Sequence, residues 1–513
     1  MSLFGAFSIA NGGLGNISRQ LAVVSQNVSN ATTPDYAREI ATQTSVTAGG
    51  QGLGVATGAV GRVVDPQMQA LLTTQNGVVT GLTTRQAALQ QIDGVQAAPG
   101  SGGDLASLLG KMQAAFSTLG NDPSNQTQQQ AVVAAAQRLA AQINGLSSSI
   151  QTARQSAQDG IVSGVQTVNA TLAQIGGLSD QIIRLQAAGQ STADLQNQRD
   201  AALHTLSQYV DVRMIAQPNG DATLITPSGL TLQTHGTQPP LAAQAAAMGP
   251  SLSYPGGGVP EVTLNGVDVT NQLSAGQNGG GSIGANITLR DQTLPTYQAE
   301  LDEFASTISN RVAAQGLTLF TDASGAIPTS TGVPTQSGYL GYAGTIQVNP
   351  AVQANPTLVR DGTASVAGSA TGASAFTPNS ASGPAGFNIL IIRVLTYALG
   401  SQAQAGVPQP APAVTGLGVA GTLAAPFLAP TDLASFAGLI VGSQAQDSAA
   451  ATTQLSMAHG VQSSLQSKVS AASGVSMDTE MSSMIQLQNA YGANAKVISV
   501  VQALWTQLLQ MVP

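Results

Sequence analysis

The sequence predicts an α+β multidomain chain: paired terminal heptad helices, an elongated helical bundle, and inserted β-rich middle domains in a nested hairpin-like arrangement. Three observations predict it. Apolar residues at both ends recur at alternating steps of three and four, residues 66–209 keep a helical period, and from 210 the pattern turns to short alternating runs punctuated by Pro, Asn and Gly. The 513 residues suffice for about three or four domains.

At the N-terminus Leu3, Phe7, Ala10, Leu14, Ile17, Leu21, Val24 and Val28 step by 4, 3, 4, 3, 4, 3, 4. Such a seam presents one narrow apolar stripe to a partner helix. Gly12, Gly13 and Gly15 lie within it, each costing about 1 kcal/mol relative to Ala, so the helix is expected to need its partner. Ala31–Pro34 end it, and a Gly-rich extended region, alternating at Leu53 and Val55, runs to about Val64. A helical region follows from Pro66 to about Ala98. After a turn at Asp122-Pro123-Ser124, the series Val132, Ala136, Leu139, Ile143, Leu146, Ile150 and the series Ile161, Val165, Val168, Leu172, Ile175 share one spacing. Leu178, Ile182 and Leu185 resume it after a three-residue slip. Ser191 with Asp194 reads as a capping box opening a helix to Tyr209.

Asp211–Ala216, Ala222–Thr226 and Leu230–Thr234, separated by turns at Pro218-Asn219-Gly220-Asp221 and Pro227-Ser228-Gly229, read as a β-meander. Val262–Leu264 and Val267–Thr270 form a hairpin about Asn265-Gly266. Leu294, Tyr297, Leu301, Phe304, Ile308 and Val312 return to helix. Thr318–Gly383, rich in Gly, Thr, Ser and Pro, reads as β structure or loops. Phe387–Leu399 and Leu433–Lys468 read as helices, with a Pro/Ala/Gly stretch from Gly406 to Pro430 between them. Met484, Leu487, Tyr491, Asn494, Ile498, Val501, Trp505, Leu508 and Val512 close the chain on steps of three and four.

Composition excludes several classes. There is no cysteine, hence no disulfide framework, thiolate metal site or cysteine nucleophile. Lys and Arg number 16 against 24 acids, a net charge of −8, opposite to the basic stripe of a nucleic-acid binder. The longest apolar run, Phe387–Leu399, is short of the ~20 residues of a membrane span, so no membrane insertion is expected. Only 8% of residues are charged, and between Asp361 and Asp432 only Arg393 is, which leaves little repulsion between copies. Met1–Ser18 contains no basic residue, so no cleaved export signal is expected.

Candidate chemistry is thin. Gly280-Gly281-Ser282-Ile283-Gly284 matches a serine-hydrolase elbow, but the only downstream histidine, His459, lies in an amphipathic helical run. The Gly49–Gly58 cluster carries Val55 and Thr57 where a dinucleotide loop needs glycine, and Gly110-Lys111 has Leu105 where a phosphate loop needs one. His204, His235 and His459 show no ligand spacing. No catalytic, cofactor-binding or metal residues are therefore nominated. The sharpest polar cluster is Leu195-Gln196-Asn197-Gln198-Arg199-Asp200, where Arg199 is expected to bridge Asp200, Asp194 or a nearby carbonyl and fix the bundle to the β domain. Asn27-Val28-Ser29-Asn30 with Pro34-Asp35-Tyr36-Ala37-Arg38 closes the first helix. Asn30 caps it and Tyr36 covers the joint, or these residues meet a neighbouring subunit.

Asn27, Asn30, Tyr36 and Arg38 resemble the N-x-x-N…Y-x-R signature of the flagellar rod/hook axial protein family. Met481 and Gln488-Asn489-Ala490-Tyr491-Gly492-Ala493-Asn494-Ala495-Lys496-Val497-Ile498 resemble its paired C-terminal signature. Gln198-Arg199-Asp200, after a helical bundle and before a β-meander, is similar to the hook-associated members. So are Gly383-Pro384-Ala385-Gly386-Phe387-Asn388 with Arg393-Val394-Leu395, and Ser473–Glu480. The resemblance spans about 1–315 and 384–513. Asn197 stands where members often carry an acid, and Asp35 replaces a more usual glycine before Tyr36.

The resemblance implies a non-enzymatic structural component at the junction between flagellar hook and filament, extracellular, exported without a cleaved signal through the flagellar type III apparatus. Its mobile ends would pair on assembly into a ring at the hook tip. It implies as partners other copies of the chain, the hook subunit, a second junction protein on the filament side and an export chaperone for the C-terminal region, with no cofactor. The expected division is 1–35, N-terminal coiled-coil axial helix; 36–209, extended region and first part of the bundle; 210–290, β-rich domain; 291–315, returning helix; 316–383, variable β/loop insertion; 384–475, second part of the bundle; 476–513, C-terminal coiled-coil axial helix. The alternatives are another axial protein such as the hook subunit, which is mostly β between its end helices, or an adhesin or enzyme in the middle region.

Overall fold

The structure, a computed structural model, describes residues 3–510 except 35, 49–50, 237–238, 275–279 and 331. Asp35 and Val512, singled out above, lie outside the described residues. The chain is mostly helical. Helix α1 (Leu3–Ser29) leads to a long antiparallel hairpin, β1 (Glu39–Ala48) and β2 (Gln51–Arg62), in which Glu39 pairs with Arg62 at the base. Helix α2 (Pro66–Gln96) starts where Asp65 accepts from Gln67 N and Met68 N, with Pro66 in the first turn, where its missing N–H costs nothing. Helix α3 (Leu105–Asn121) is capped by Asp104 and helix α4 (Gln126–Ala187) by Asn125.

Helix α4 has 62 residues, roughly 90 Å at 1.5 Å per residue. Its seam stays buried from Val132 to Ile182, so the slip after Ile175 is absorbed without a break. A straight helix drifts against a strict seven-residue repeat, and a slip resets the drift. Helix α3 has no counterpart in the reading above, although Leu105, Leu109, Met112, Phe116 and Leu119 are all buried. Helix α5 (Ala193–Ser207) begins without the expected capping box. Thr192 is the capping residue, but its hydroxyl makes no capping bond and accepts from Gln196 Nε2 at 3.1 Å, while the Asp194 carboxylate accepts from Gln198 Nε2 one turn on, at 2.9 Å.

The chain then forms two three-stranded sheets: β3 (Arg213–Ala216), β4 (Ala222–Ile225) and β5 (Thr231–Leu232); then β6 (Leu241–Ala242), β7 (Thr263–Leu264) and β8 (Val267–Asp268). Helices α6 (Thr270–Ser274) and α7 (Gly281–Thr288) follow. A π turn at Leu289–Thr293 then joins α7 to α8 (Leu294–Ala314). Between 316 and 383 lie strands β9 (Phe320–Thr321) and β10 (Gln347–Val348) and helices α9 (Pro350–Ala354) and α10 (Leu358–Asp361). The expected helix at Phe387–Leu399 is one turn, α11 (Ile389–Arg393), followed by a π turn at Val394–Ala398. Two small hairpins, β11 (Gln402–Gln404) with β12 (Val407–Pro408) and β13 (Thr415–Leu417) with β14 (Leu423–Ala424), precede the long helices α12 (Leu433–Ser473) and α13 (Met477–Gln510).

Two cores organise this. The larger joins α3, the first half of α4, α8, α11 and α12, and takes in Leu317, Phe320, Tyr342, Ile346, Val352 and Val359. The 316–383 segment thus contributes to the bundle core. The smaller core joins the second half of α4, α5, both three-stranded sheets, α6 and α7. Arg393 is buried and donates to Ser374 Oγ, Ser374 O and Gln315 O, so the single charge between Asp361 and Asp432 is spent inside the fold. Helix α2 packs along α12 over a small apolar cluster at Val79, Leu455 and Ala458. Helix α1 packs along α13 and on the hairpin.

Candidate functional site: the terminal helix pair and its joint

The two ends of the chain lie side by side. Ala10, Ile17, Val24 and Val501 are buried; Leu3, Leu14, Leu21, Val28, Met484, Leu487, Asn494 and Ile498 are half-buried. Phe7, Tyr491, Trp505 and Leu508 are exposed, Trp505 at 48%. The approach is close: a Cβ on Gly13 would sit 3.2 Å from Asn494 Oδ1. The glycines that weaken α1 as an isolated helix therefore include one that lets α13 come near.

Helix α13 has a second apolar stripe that the sequence reading missed. Val497, Val500 and Leu504 are exposed, as are Ile485 and Leu509. They repeat the 3, 4 step one position ahead of Ile498, Val501 and Trp505, and that repeat was the available signal. With exposed Phe4, the pair leaves apolar side chains of both helices uncovered. Phe4, Phe7, Val501, Gln502 and Trp505 line an open groove between the helices. Contiguous exposed apolar surface of this kind marks an interaction site.

A buried polar joint holds the base of this pair. The Asn27 side chain is 1% exposed and uses its full bonding capacity. Its Nδ2 donates to Glu39 O at 2.9 Å and Glu480 Oε2 at 3.2 Å. Its Oδ1 accepts from Glu39 N at 2.9 Å and Tyr36 OH at 3.1 Å. Arg38 Nε donates to Glu480 Oε1 at 2.6 Å, and Arg38 N donates to Ser473 O at 2.8 Å. Asn27, Tyr36 and Arg38 are thus brought together. Asn30 stands apart, its Nδ2 bonding Gln26 O at 3.0 Å at the end of α1. Burial holds the Tyr36 phenol well above its ordinary range, with Glu39, Asp194 and Glu480 adding to the shift.

The joint continues into the bundle through α5. Arg62 Nη1 donates to Asp200 Oδ2 at 2.6 Å and Asn197 Oδ1 at 3.0 Å, and Arg62 Nε donates to Gln196 Oε1 at 3.1 Å. Asn197 Nδ2 donates to Glu39 Oε1 at 3.2 Å and Ala37 O at 3.3 Å. An acid at 197 would set a second carboxylate against Glu39. Burial pushes the Glu39 carboxyl up, as does Asp194, while Arg62 pulls it down. Arg199, on the next position of α5, faces away from this cluster. It is buried and donates to Gly220 O at 2.8 Å, in the β3–β4 turn, and to Ser179 Oγ at 3.3 Å. Of the expected partners it takes the carbonyl rather than Asp194 or Asp200, and burial lowers its pKa. Gln198 bonds only Asp194 among the described contacts. Arg62 and Glu39 were not singled out from sequence, and Glu480 only as the last residue of the Ser473–Glu480 motif. Arg62 gave a signal only as a charge beside an element boundary.

The motifs weighed for catalysis have structural settings. Gly281 has φ +74°, and a Cβ there would lie 2.5 Å from the Tyr209 carbonyl. Ser282 N donates to Gln208 O. Lys111 Nζ donates to Gly102 O. His235 Nε2 lies 3.3 Å from Asp180, and His459 Nδ1 lies 3.3 Å from Gln462 Oε1. Among the described residues no cluster of three His, Asp or Glu side chains could hold a metal ion, and no helix is long and apolar enough to cross a membrane.

Comparison with known proteins gives two family matches. Residues 89–327 match the flagellar hook-associated protein FlgK helical domain, and residues 466–511 match the flagellar basal body rod FlgEFG protein C-terminal region. Flagellar hook-associated protein 1 of Salmonella typhimurium is 30% identical over 323 residues, 60% of this chain and 55% of that protein. The Escherichia coli protein of the same name is 28% identical over 62% of this chain and 57% of its own length. That of Bacillus subtilis is 26% identical over 41% and 43%. The chain therefore spans about half the length of the curated relatives it matches. The solved flagellar hook junction protein FlgK from Burkholderia pseudomallei aligns at 24% identity over 51% of this chain and 46% of that one, with a TM-score of 0.39.

Proposed function

We propose, from the likeness of residues 89–327 to the flagellar hook-associated helical domain and of residues 466–511 to the axial C-terminal region, that the chain belongs to the rod/hook axial family and is a structural component of the bacterial flagellum. In this reading it forms the junction between hook and filament. Copies assemble as a ring at the hook tip through their terminal helices, while the β-rich middle faces outward and the domains nest between the paired ends. The partners are other copies of the chain, the hook subunit below, a second junction protein above, and before assembly an export chaperone on the C-terminal region. The protein acts outside the cell, on the flagellum, and its role is structural rather than catalytic.

One observation carries this reading. A hook-associated helical domain and an axial C-terminal segment occur in one chain, whose end helices pair yet leave Phe4, Val497, Val500, Leu504, Trp505 and Leu508 uncovered. Apolar surface of that extent has a partner. The mostly helical body supports a hook-associated protein over a hook subunit. The test is electron microscopy of cells lacking this gene, with flagellin assayed in the medium. Complete hooks without filaments, and shed flagellin, are expected. Missing hooks would move the protein down the axis, and intact filaments would overturn the reading.

A further inference from the structure

The joint runs as one chain of contacts from α13 to α5. Glu480, in the first turn of α13, holds Asn27 and Arg38. Asn27 brackets Glu39 by its backbone N and O. Glu39 pairs across the hairpin base with Arg62 and accepts from Asn197, and Arg62 reaches Asp200 on α5. Glu480 is fully buried, and Asn27, Glu39 and Asn197 are each at most 5% exposed. In a buried network, losing one member strands its neighbours' polar groups without water. Arg38 shows the dependence most plainly. Its side chain meets α13 at Glu480, its backbone N meets the end of α12 at Ser473, and its carbonyl accepts from Val63 N just beyond the hairpin.

From this arrangement we infer that Glu480 is a positioning residue that makes docking of the C-terminal helix a condition for seating the hairpin base on the bundle. Among the described residues the hairpin has no other strand beside it, and an isolated two-stranded hairpin is marginal in water. Without α13, Asn27 and Arg38 lose their shared carboxylate, Glu39 loses its bracket, and Arg62 loses the register that aims it at Asp200. The arrival of the C-terminal helix is thereby communicated to α5, where Arg199, the residue before Asp200, grips the β-meander. For the proposed junction role, which this inference deepens and rests on, a copy whose last helix is not in place also lacks a seated hairpin.

The test is hydrogen exchange on the purified full-length chain, which needs no flagellum and so fails or succeeds apart from the junction reading. In Glu480→Ala, exchange across residues 39–62 is expected to quicken at least about ten-fold while α3 and the Val132–Ile150 stretch of α4 are unchanged. If Glu480→Ala unfolds the whole chain, Glu480→Gln, which keeps the shape and loses the charge opposite Arg38, is expected to give a smaller effect confined to the same segment. Combining Glu480→Gln with Asp200→Asn is expected to change hairpin opening by a factor several-fold away from the product of the single effects, since coupled sites depart from additivity. Unchanged exchange at 39–62 with faster exchange in α13, or a strictly multiplicative double variant, would overturn the inference.

Discussion

Arg38 and Glu480, 442 positions apart in the chain, meet at 2.6 Å, with the Glu480 side chain 1% exposed. The two ends of the sequence are thereby fastened at the base of the helix pair they form. Breaking a buried pair from one side is costly because the other charge is left without a partner. The pairing of α1 and α13 is thus set by specific polar contacts at one end and by incompletely covered apolar surface along the rest.

Arg199 ties α5 to the turn between β3 and β4. Arg199→Ala is expected to cost about 2 kcal/mol, the scale of a buried charged hydrogen bond, in urea denaturation followed by circular dichroism. Arg199→Lys should rescue little, since both bonds leave from Nη1 at the far end of the guanidinium, one atom beyond where a lysine ammonium would sit. Full rescue by lysine would mean that charge alone suffices.

Two buried acids on α8 give the bundle a pH dependence. Burial first, and then Asp447, push Glu300 up to about 8, against a small opposing influence from Gln444. Burial pushes Asp302 up to about 7 although Gly341 N, Ala343 N and Gln298 Nε2 all donate to it. A folded pKa above the unfolded one means that the folded state binds more protons, so stability is full below the unfolded pKa and falls as pH rises through the folded one. Unfolding free energy should therefore decline between about pH 4.5 and pH 8 by on the order of a few kcal/mol. Glu300→Gln should flatten that decline, and a wild-type profile that rises over this window would contradict the assignment.

The ends and α4 were legible because their apolar steps are long and regular, and a seam such as Val132 to Ile150 admits one reading. The short helix α3 was not found, since it fits between two turns. The 316–383 segment reads as β structure or loops and its strands are two residues long, yet Phe320, Tyr342 and Val352 enter the main core, which no periodicity in the segment signals. The joint was legible only in half. Asn27, Tyr36 and Arg38 stood out as one motif and Glu480 closed another, while Glu39, Arg62 and the meeting of the two motifs acquire meaning only when distant segments come together. The placement of Arg199 at a carbonyl rather than an acid depends on where the β3–β4 turn falls, which no local spacing encodes.

Gly281 and Ser282 separate packing from chemistry. Gly281→Ala places a Cβ 2.5 Å from the Tyr209 carbonyl at a positive φ and should destabilise by about 1–3 kcal/mol. Ser282→Ala should stay within about 0.5 kcal/mol. Thermal unfolding of the two variants reads both values; equal effects would refute the packing account.

Trp505 is half exposed beside Phe4 and Phe7. Trp505→Ala is expected to leave monomer stability within about 1 kcal/mol, yet to prevent filament attachment when it replaces the wild-type chain in cells. The paired readout is thermal unfolding together with filament counts. Normal attachment would remove the terminal groove from the assembly surface.

The central claim is that this chain sits between hook and filament. The most direct measurement is immunogold electron microscopy of intact flagella with antibody to the middle region, residues 316–383. The account expects one narrow band of label at the distal end of each hook. Label along the whole hook, along the filament, or nowhere on the flagellum would contradict it.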